Sequence, residues 1–363
     1  MREPRLMIPG PIDVSQEVLD SMSRRMVAHY GSDWTEFYRE TTSSLLGIFR
    51  TGGHVFLVPG SGSAGLEMVF ASILFPNKKV LILQNGYFGE RLEEIARAYT
   101  PNIRIIRAPL AKAIDLSLVQ EALLSDQFDM VAAVHCETST GMLNNVQKIA
   151  DMCNQSQTLF MLDAISSLAV EPLEMDSWGI DICVSASQKG LESPPGLALV
   201  AVSKSFWKRI DHLTPAGWYL NLKVWKDYEE KWGDWHPHPI THAVNNVRAL
   251  KTAIDRILSE GLEERYSRHR RITSSLREGL TVRGFEPLIP AEEASHGVTA
   301  VASKGRDVDA LLKYLRQEKG LLLAGSLGEL KGKVFRMGHM GTGASEEAIE
   351  TLLDALDTLP EKT

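Results

Sequence analysis

The chain has 363 residues, 44% of them hydrophobic, and a formal net charge of -7. That is enough apolar material for a large core and more than one domain, while the acidic balance and dispersed Lys and Arg argue against a nucleic-acid surface. No apolar run reaches membrane-spanning length, and three cysteines without C-x-x-C spacing, Cys136, Cys153 and Cys183, argue against a zinc site and for a reducing compartment.

The N-terminus, Met1-Arg2-Glu3-Pro4-Arg5, has no apolar stretch behind it, so no secretory signal is read and a cytoplasmic location is expected. From residue 54 to 202, short apolar runs alternate with amphipathic ones. The runs predict strands at His54–Val58, Lys79–Leu83, Ile103–Arg107, Met130–His135, Thr158–Leu162, Asp181–Ser185 and Leu197–Val202. Helical spacing lies between most of them, at Gly65–Leu74, Gly89–Tyr99, Ser117–Leu124 and Val146–Asn154. This order implies an α/β fold with a mostly parallel sheet covered on both faces. Ligands of such sheets bind beyond the carboxyl ends of the strands.

Residues 213–242 read as an irregular loop rich in Trp, His and Pro, of the kind that serves a function or an interface. Val27, His29 and Tyr30, far upstream, are candidates for the same pocket. Two long helices follow, about Ala243–Glu260 and Leu262–Leu280. Within the second, Arg268-His269-Arg270-Arg271 reads as a solvated face. The tail, 284–359, predicts a smaller α+β domain.

Several strand ends carry chemistry. Pro59-Gly60-Ser61-Gly62-Ser63-Ala64-Gly65 opens a helix with small residues and hydroxyls, a shape that accepts an anion or forms a plain Gly-Ser turn. In Asn85-Gly86-Tyr87-Phe88-Gly89 an aromatic ring is placed to stack on a flat ligand or to pack as core. His135-Cys136-Glu137-Thr138-Ser139-Thr140-Gly141 offers hydroxyls for a phenolic oxygen or a phosphate, with Cys136 a small buried filler. Asp163 ends a strand either as a helix cap or as the partner of a pyridine nitrogen. Lys189, in Ser187-Gln188-Lys189-Gly190 before Pro194-Pro195-Gly196, is an amine held for covalent work on a carbonyl. Arg336, between apolar residues on a predicted strand, offers a planar fork to a carboxylate, or forms an ion pair at a domain interface.

In order and spacing these segments resemble the class V aminotransferases, within the fold-type I pyridoxal phosphate enzymes. The nearest branch in appearance is the alanine–glyoxylate and serine–pyruvate aminotransferases. The resemblance runs over nearly the whole chain, from Pro9-Gly10-Pro11 onward. It implies an N-terminal segment (1–14), a large cofactor-binding domain with a mostly parallel sheet (15–245) and a smaller C-terminal α+β domain (246–363). It implies pyridoxal 5'-phosphate bound as a Schiff base on Lys189, with Asp163 on the ring nitrogen and Phe88 on the ring face. Ser61, Gly62, Ser63 and Gln188 would surround the phosphate, Thr138 would sit near the ring oxygen, and Ile165 would belong to the cofactor site. Thr241 would reach the phosphate from a partner subunit, which implies a homodimer with sites at the interface. Arg336 would grip the substrate carboxylate, with Gly10 beside it.

The implied reaction is ping-pong transfer of an amino group from alanine or serine to glyoxylate or pyruvate, with the freed lysine moving the proton. Ser63 stands where some relatives carry histidine, Phe88 where some carry tryptophan, and His238 aligns with a tyrosine. These departures bear on the substrate. 2-Aminoethylphosphonate–pyruvate, pyridoxamine–pyruvate and ureidoglycine–glyoxylate aminotransferases are the alternatives within the family. A cysteine desulfurase would need a histidine before the lysine and a cysteine late in the chain; here the residue is Gln188, and no cysteine follows Cys183.

Overall fold

The computed structural model describes residues 3–360; Met1 and Arg2 of the charged N-terminus and the last three residues lie outside it. Among the described residues, seven strands form one sheet. Its spatial order is His54–Pro59, Leu197–Val202, Ile182–Ala186, Leu159–Asp163, Met130–Val134, Val80–Gln84 and Ile103–Arg107. The five inner strands are buried at every position. That is why they read as unbroken apolar runs: each face is covered by helices. Alternate residues feed two cores. Leu81, Val131, Phe160 and Leu162 join one side; Ile82, Met130, Ala132 and Met161 join the other.

The pairings from Ile103–Arg107 through to Ile182–Ala186 are all parallel. Leu197–Val202 is the exception, running antiparallel to both of its neighbours. A parallel return would need a long crossover. Here only a short turn separates Ala186 from Leu197, and it closes at Pro194-Pro195-Gly196, with Gly196 at φ +134. Lys189 sits in that turn.

A second sheet of four antiparallel strands follows the order Glu286–Pro287, Val298–Ala302, Val334–Gly338, Ala324–Gly325. Helices Val308–Glu318 and Glu346–Asp357 and the far half of Leu262–Val282 cover it, through Leu276, Leu280, Leu311 and Leu352. The N-terminal segment is stitched to this unit. Arg5–Leu6 pairs in parallel with Leu321–Leu322, and Gly338 N donates to the Met7 carbonyl at 2.8 Å. The segment then runs on to Lys189.

Two expectations need correction. Residues 213–242 are not wholly irregular, because Leu222–Trp232 is a helix. Asn221 caps it by accepting from Lys223 N at 3.0 Å, and the helix buries Leu222 and Trp225. The basic run at 268–271 is a solvated face only at Arg270 and Arg271, which are exposed. His269 is fully buried, and Arg268 donates to the carbonyl oxygens of Gly341 and Ala344 at 2.8 Å each. No helix among the described residues is long and apolar enough to cross a membrane.

Candidate active site

The carboxyl ends of the parallel strands point to one side of the sheet, and the chemistry-bearing residues gather there. Asp163 ends its own strand. Phe88 follows Val80–Gln84 in the first turn of helix Tyr87–Arg97, and Thr138 lies just past Met130–Val134. Ser61, Gly62 and Ser63 open helix Gly62–Ile73. With Gly10, Ile165, Gln188 and Lys189 they line a cavity of about 280 Å³. A larger cleft, about 1770 Å³, lies around helices Ser32–Phe49, Val244–Glu260 and Leu262–Val282. It mixes Arg and Glu and holds none of these groups; Val27 and Tyr30 line that cleft and not the Lys189 cavity of their own chain.

Lys189 Nζ donates to the Pro9 carbonyl. Burial lowers its pKa to about 8; Cys136 and Asp163 oppose the shift and Arg336 adds to it. Gly10 is glycine for a steric reason. A Cβ there would sit 2.5 Å from Lys189 Cδ, and φ is +114.

Asp163 is 3% exposed, and burial raises its pKa to about 7. Among the described residues its carboxylate accepts one hydrogen bond, from Ile165 N to Oδ1 at 2.9 Å. A buried carboxylate with so few donors is poorly satisfied by the protein alone. Ile165 also packs on the helix start: a Cβ on Gly62 would fall 2.4 Å from Ile165 Cδ1.

At the other end, Ser61 stands at the N-cap of helix Gly62–Ile73, yet its side chain makes no capping bond. Its hydroxyl and the first N–H groups of the helix are free for a ligand. Gln188 Oε1 is buried without a partner. Thr138 Oγ1 donates to Ser166 Oγ at 2.6 Å.

Arg336 borders a second cavity of about 290 Å³, which shares Gly10, Phe88, Thr138 and Lys189 with the first. Ile8, Leu323 and Leu327 make its walls apolar. The guanidinium is held by carbonyls, Nη2 on Gly325 at 2.8 Å and Nη1 on Thr138 at 3.0 Å. Burial lowers its pKa from the usual value and Glu137 opposes this. No ion pair holds Arg336 among the described residues, so the interface-pair alternative has no partner here.

Thr241 is exposed and lines neither cavity of its own chain. His238 is buried beside Trp34, whose Nε1 donates to it at 2.9 Å, and it too lines neither cavity. Burial pushes the Cys136 thiol up to about 12, which leaves it inert.

Two residues of the site escaped the sequence reading. Glu137 is fully buried and accepts from the backbone N–H groups of Phe88, Gly89 and Ser139, each at 3.1 Å. It caps helix Tyr87–Arg97 and so fixes Phe88. The clue was Gly86, an N-cap position without a side chain, which obliges the helix to find an acceptor elsewhere. Arg91, one turn on, also lines the first cavity.

Known proteins share this fold. The family model described as aminotransferase class-V matches residues 13–330. An uncharacterised aminotransferase of Methanocaldococcus jannaschii is 36% identical over 355 residues, covering 96% of this chain and 90% of the relative. The crystal structure of an alanine–glyoxylate aminotransferase from Nostoc sp. superposes with a TM-score of 0.93 at 31% identity, over 98% of this chain and 95% of that one. A ureidoglycine–glyoxylate aminotransferase structure from Bacillus subtilis gives 0.92 at 28% identity, over 98% and 92%.

Proposed function

The chain belongs to the class V aminotransferases, and we propose that it carries an amino group from a small amino acid, alanine or serine, to glyoxylate or pyruvate. It is a pyridoxal phosphate-dependent enzyme of fold type I. The cofactor, when bound, supplies the electron sink for the pair of electrons left on the substrate α-carbon.

The residues present fit that group. Asp163, short of donors in a buried position, suits a protonated ring nitrogen, since opposite charges in a dry site attract strongly. The unused Ser61 hydroxyl, the helix start at Gly62 and Ser63 suit a phosphate, with Gln188 lining the same cavity. Phe88 is held in place by Glu137 to cover a ring face, with Thr138 and Ile165 completing the walls.

Lys189 does the proton work. Burial brings its amine toward neutrality, so Nζ can act as nucleophile and then take the proton from the substrate α-carbon. The Pro9 carbonyl orients that amine. Arg336 binds the substrate carboxylate with the N–H groups left over from its two carbonyl partners, beside Gly10. The observation that carries this reading is the sharing of Lys189, Phe88, Thr138 and Gly10 between the Asp163 cavity and the Arg336 cavity. A carboxylate on Arg336 leaves the α-carbon beside the lysine.

We read the working form as a homodimer with Thr241 supplied across the interface. Support comes from Thr241 being exposed, and from Trp218, Trp232 and Trp235, each more than half exposed on neighbouring segments. Sedimentation equilibrium tests this; a monomer at micromolar concentration counts against it. The substrate reading is tested by mixing pure protein with single amino donors and following the visible absorption of the cofactor. Alanine or serine should convert it, and glyoxylate or pyruvate should restore it. Conversion by 2-aminoethylphosphonate, pyridoxamine or ureidoglycine alone would move the assignment to that branch.

A further inference from the structure

The phosphate end of the cavity lacks formal charge. Ser61, Gly62, Ser63 and Gln188 are all neutral, whereas a phosphate monoester carries about -1.5 to -2 at neutral pH. Neutral N–H and O–H donors orient such a group, but removing it from water calls for a cation. Two cations line this cavity, Lys189 and Arg91. Lys189 is engaged with the Pro9 carbonyl and is committed to the covalent chemistry.

Arg91 has no such commitment. It lies one turn beyond Phe88 on helix Tyr87–Arg97. Among the described residues, its one hydrogen bond is from Nη2 to the Tyr87 hydroxyl, at 3.3 Å, and it forms no ion pair. Among the described residues none of the carboxylates on its own helix, Glu90, Glu93 or Glu94, pairs with it; Glu93 instead accepts from Gln84 Nε2 at 2.6 Å and from Arg97 Nε at 2.8 Å, with Arg107 at 3.8 Å. The Arg91 guanidinium carbon sits 5.1 Å from the ring centroids of both Tyr87 and Phe88, which themselves meet edge to face. A half-buried guanidinium, stacked, unpaired and bordering a cavity, is a fork waiting for an oxyanion.

We propose that Arg91 is the cation that balances the cofactor phosphate, reaching it past the edge of Phe88. Its field already extends along the cavity: at Asp163, Arg91 is among the charges that oppose the effect of burial. One side chain thus serves both ends of the cofactor site. It braces the stacking ring by cation–π contact and neutralises the anion. The assignment rests on the pyridoxal phosphate cofactor and is independent of which amino acid is the donor.

The test separates charge from packing. Full-length protein is stripped of cofactor and titrated with pyridoxal phosphate and, separately, with pyridoxal, which lacks the phosphate. Arg91→Met keeps the apolar cover of Phe88 and removes the charge; Arg91→Lys keeps the charge. Expected is a loss of about tenfold or more in pyridoxal phosphate affinity for Arg91→Met, with pyridoxal binding within about twofold of the parent and Arg91→Lys recovering most of the loss. Equal losses for both ligands would assign Arg91 to bracing Phe88 alone and overturn the proposal. Unchanged affinity for both would overturn it as well.

Discussion

The guanidinium of Arg265 donates to the carbonyl oxygen of Gly190, the residue after Lys189, at 2.8 Å. The same group reaches Ala169 O at 2.7 Å, Glu192 Oε1 at 2.7 Å and Glu260 Oε2 at 2.9 Å. Arg265 and Glu192 are both almost fully buried. A side chain from helix Leu262–Val282, which continues onto the second sheet, therefore clamps the lysine turn from behind. Removing it leaves the Glu192 carboxylate buried and unpaired. Arg265→Met should cost about 3–5 kcal/mol, because an uncompensated buried charge is far worse than none. Arg265→Met with Glu192→Gln should regain a good part of that. Denaturant unfolding of the cofactor-free protein reads both; a double variant no more stable than the single one would show that the pair contributes no charge coupling.

Asp163 holds an ionisable group in a place the unloaded fold disfavours. Its carboxyl pKa, about 7 in the folded chain through burial, exceeds the ordinary 3.8. Between those values the folded state binds more protons than the unfolded one, so stability falls as pH rises from about 4 to about 7 and stays low above it. Asp163→Asn removes the penalty. The cofactor-free variant should be more stable than the parent above pH 7, by at most about 4 kcal/mol for a shift of that size. The difference should fade toward pH 4, while transamination is lost. Thermal melts across pH check it, and a difference that does not vary with pH contradicts the electrostatic cause.

Lys189 titrates in the opposite sense. Burial takes its pKa down from 10.5 to about 8, so the folded state binds fewer protons between those values and this group's contribution to stability rises with pH across that window. The neutral amine is the reactive form. The rate at which stripped protein takes up pyridoxal phosphate should climb roughly tenfold per pH unit below about 8 and level off above it. Stopped-flow absorbance measures this. Lys189→Ala should show neither the uptake signal nor turnover; full activity in that variant removes the lysine from the chemistry.

How much of this could be read from residues alone follows from what each residue must do. The inner strands announce themselves because both their faces are buried, as at Val131 and Phe160. The meeting of Ser61, Phe88, Asp163 and Lys189 follows from parallel topology, which brings the carboxyl ends of separate strands to one side. Glu137 stayed hidden because its task, capping a helix nearly fifty residues earlier in the chain, leaves no local pattern. Arg268 and His269 looked solvated because charge is a poor guide where carbonyls of a distant turn supply the partners. Helix Leu222–Trp232 was masked by a composition in which Trp, Tyr, Lys and Glu outnumber the usual apolar markers. Thr241 has no role visible within one chain.

Arg336 brings the same tension between scaffold and ligand to a single side chain. It sits in strand Val334–Gly338 opposite Ala300 and Ala324, whose small side chains leave room for the guanidinium. Nε and Nη2 share the Gly325 carbonyl and Nη1 holds Thr138 O, yet each terminal nitrogen keeps a second N–H. Arg336→Lys cannot hold both carbonyls and present a fork. It should raise KM for alanine by about tenfold to a hundredfold, the loss of a bidentate charged contact. It should also cost about 1–3 kcal/mol of stability from carbonyls left without donors. A primary amine with no carboxylate, such as benzylamine, separates the two effects. If Arg336 binds the substrate carboxylate, the slow half-reaction of that amine is unaffected by the substitution while that of alanine weakens. If both amines lose equally, Arg336 acts only as the brace between Thr138 and the second sheet, and the carboxylate must be held elsewhere.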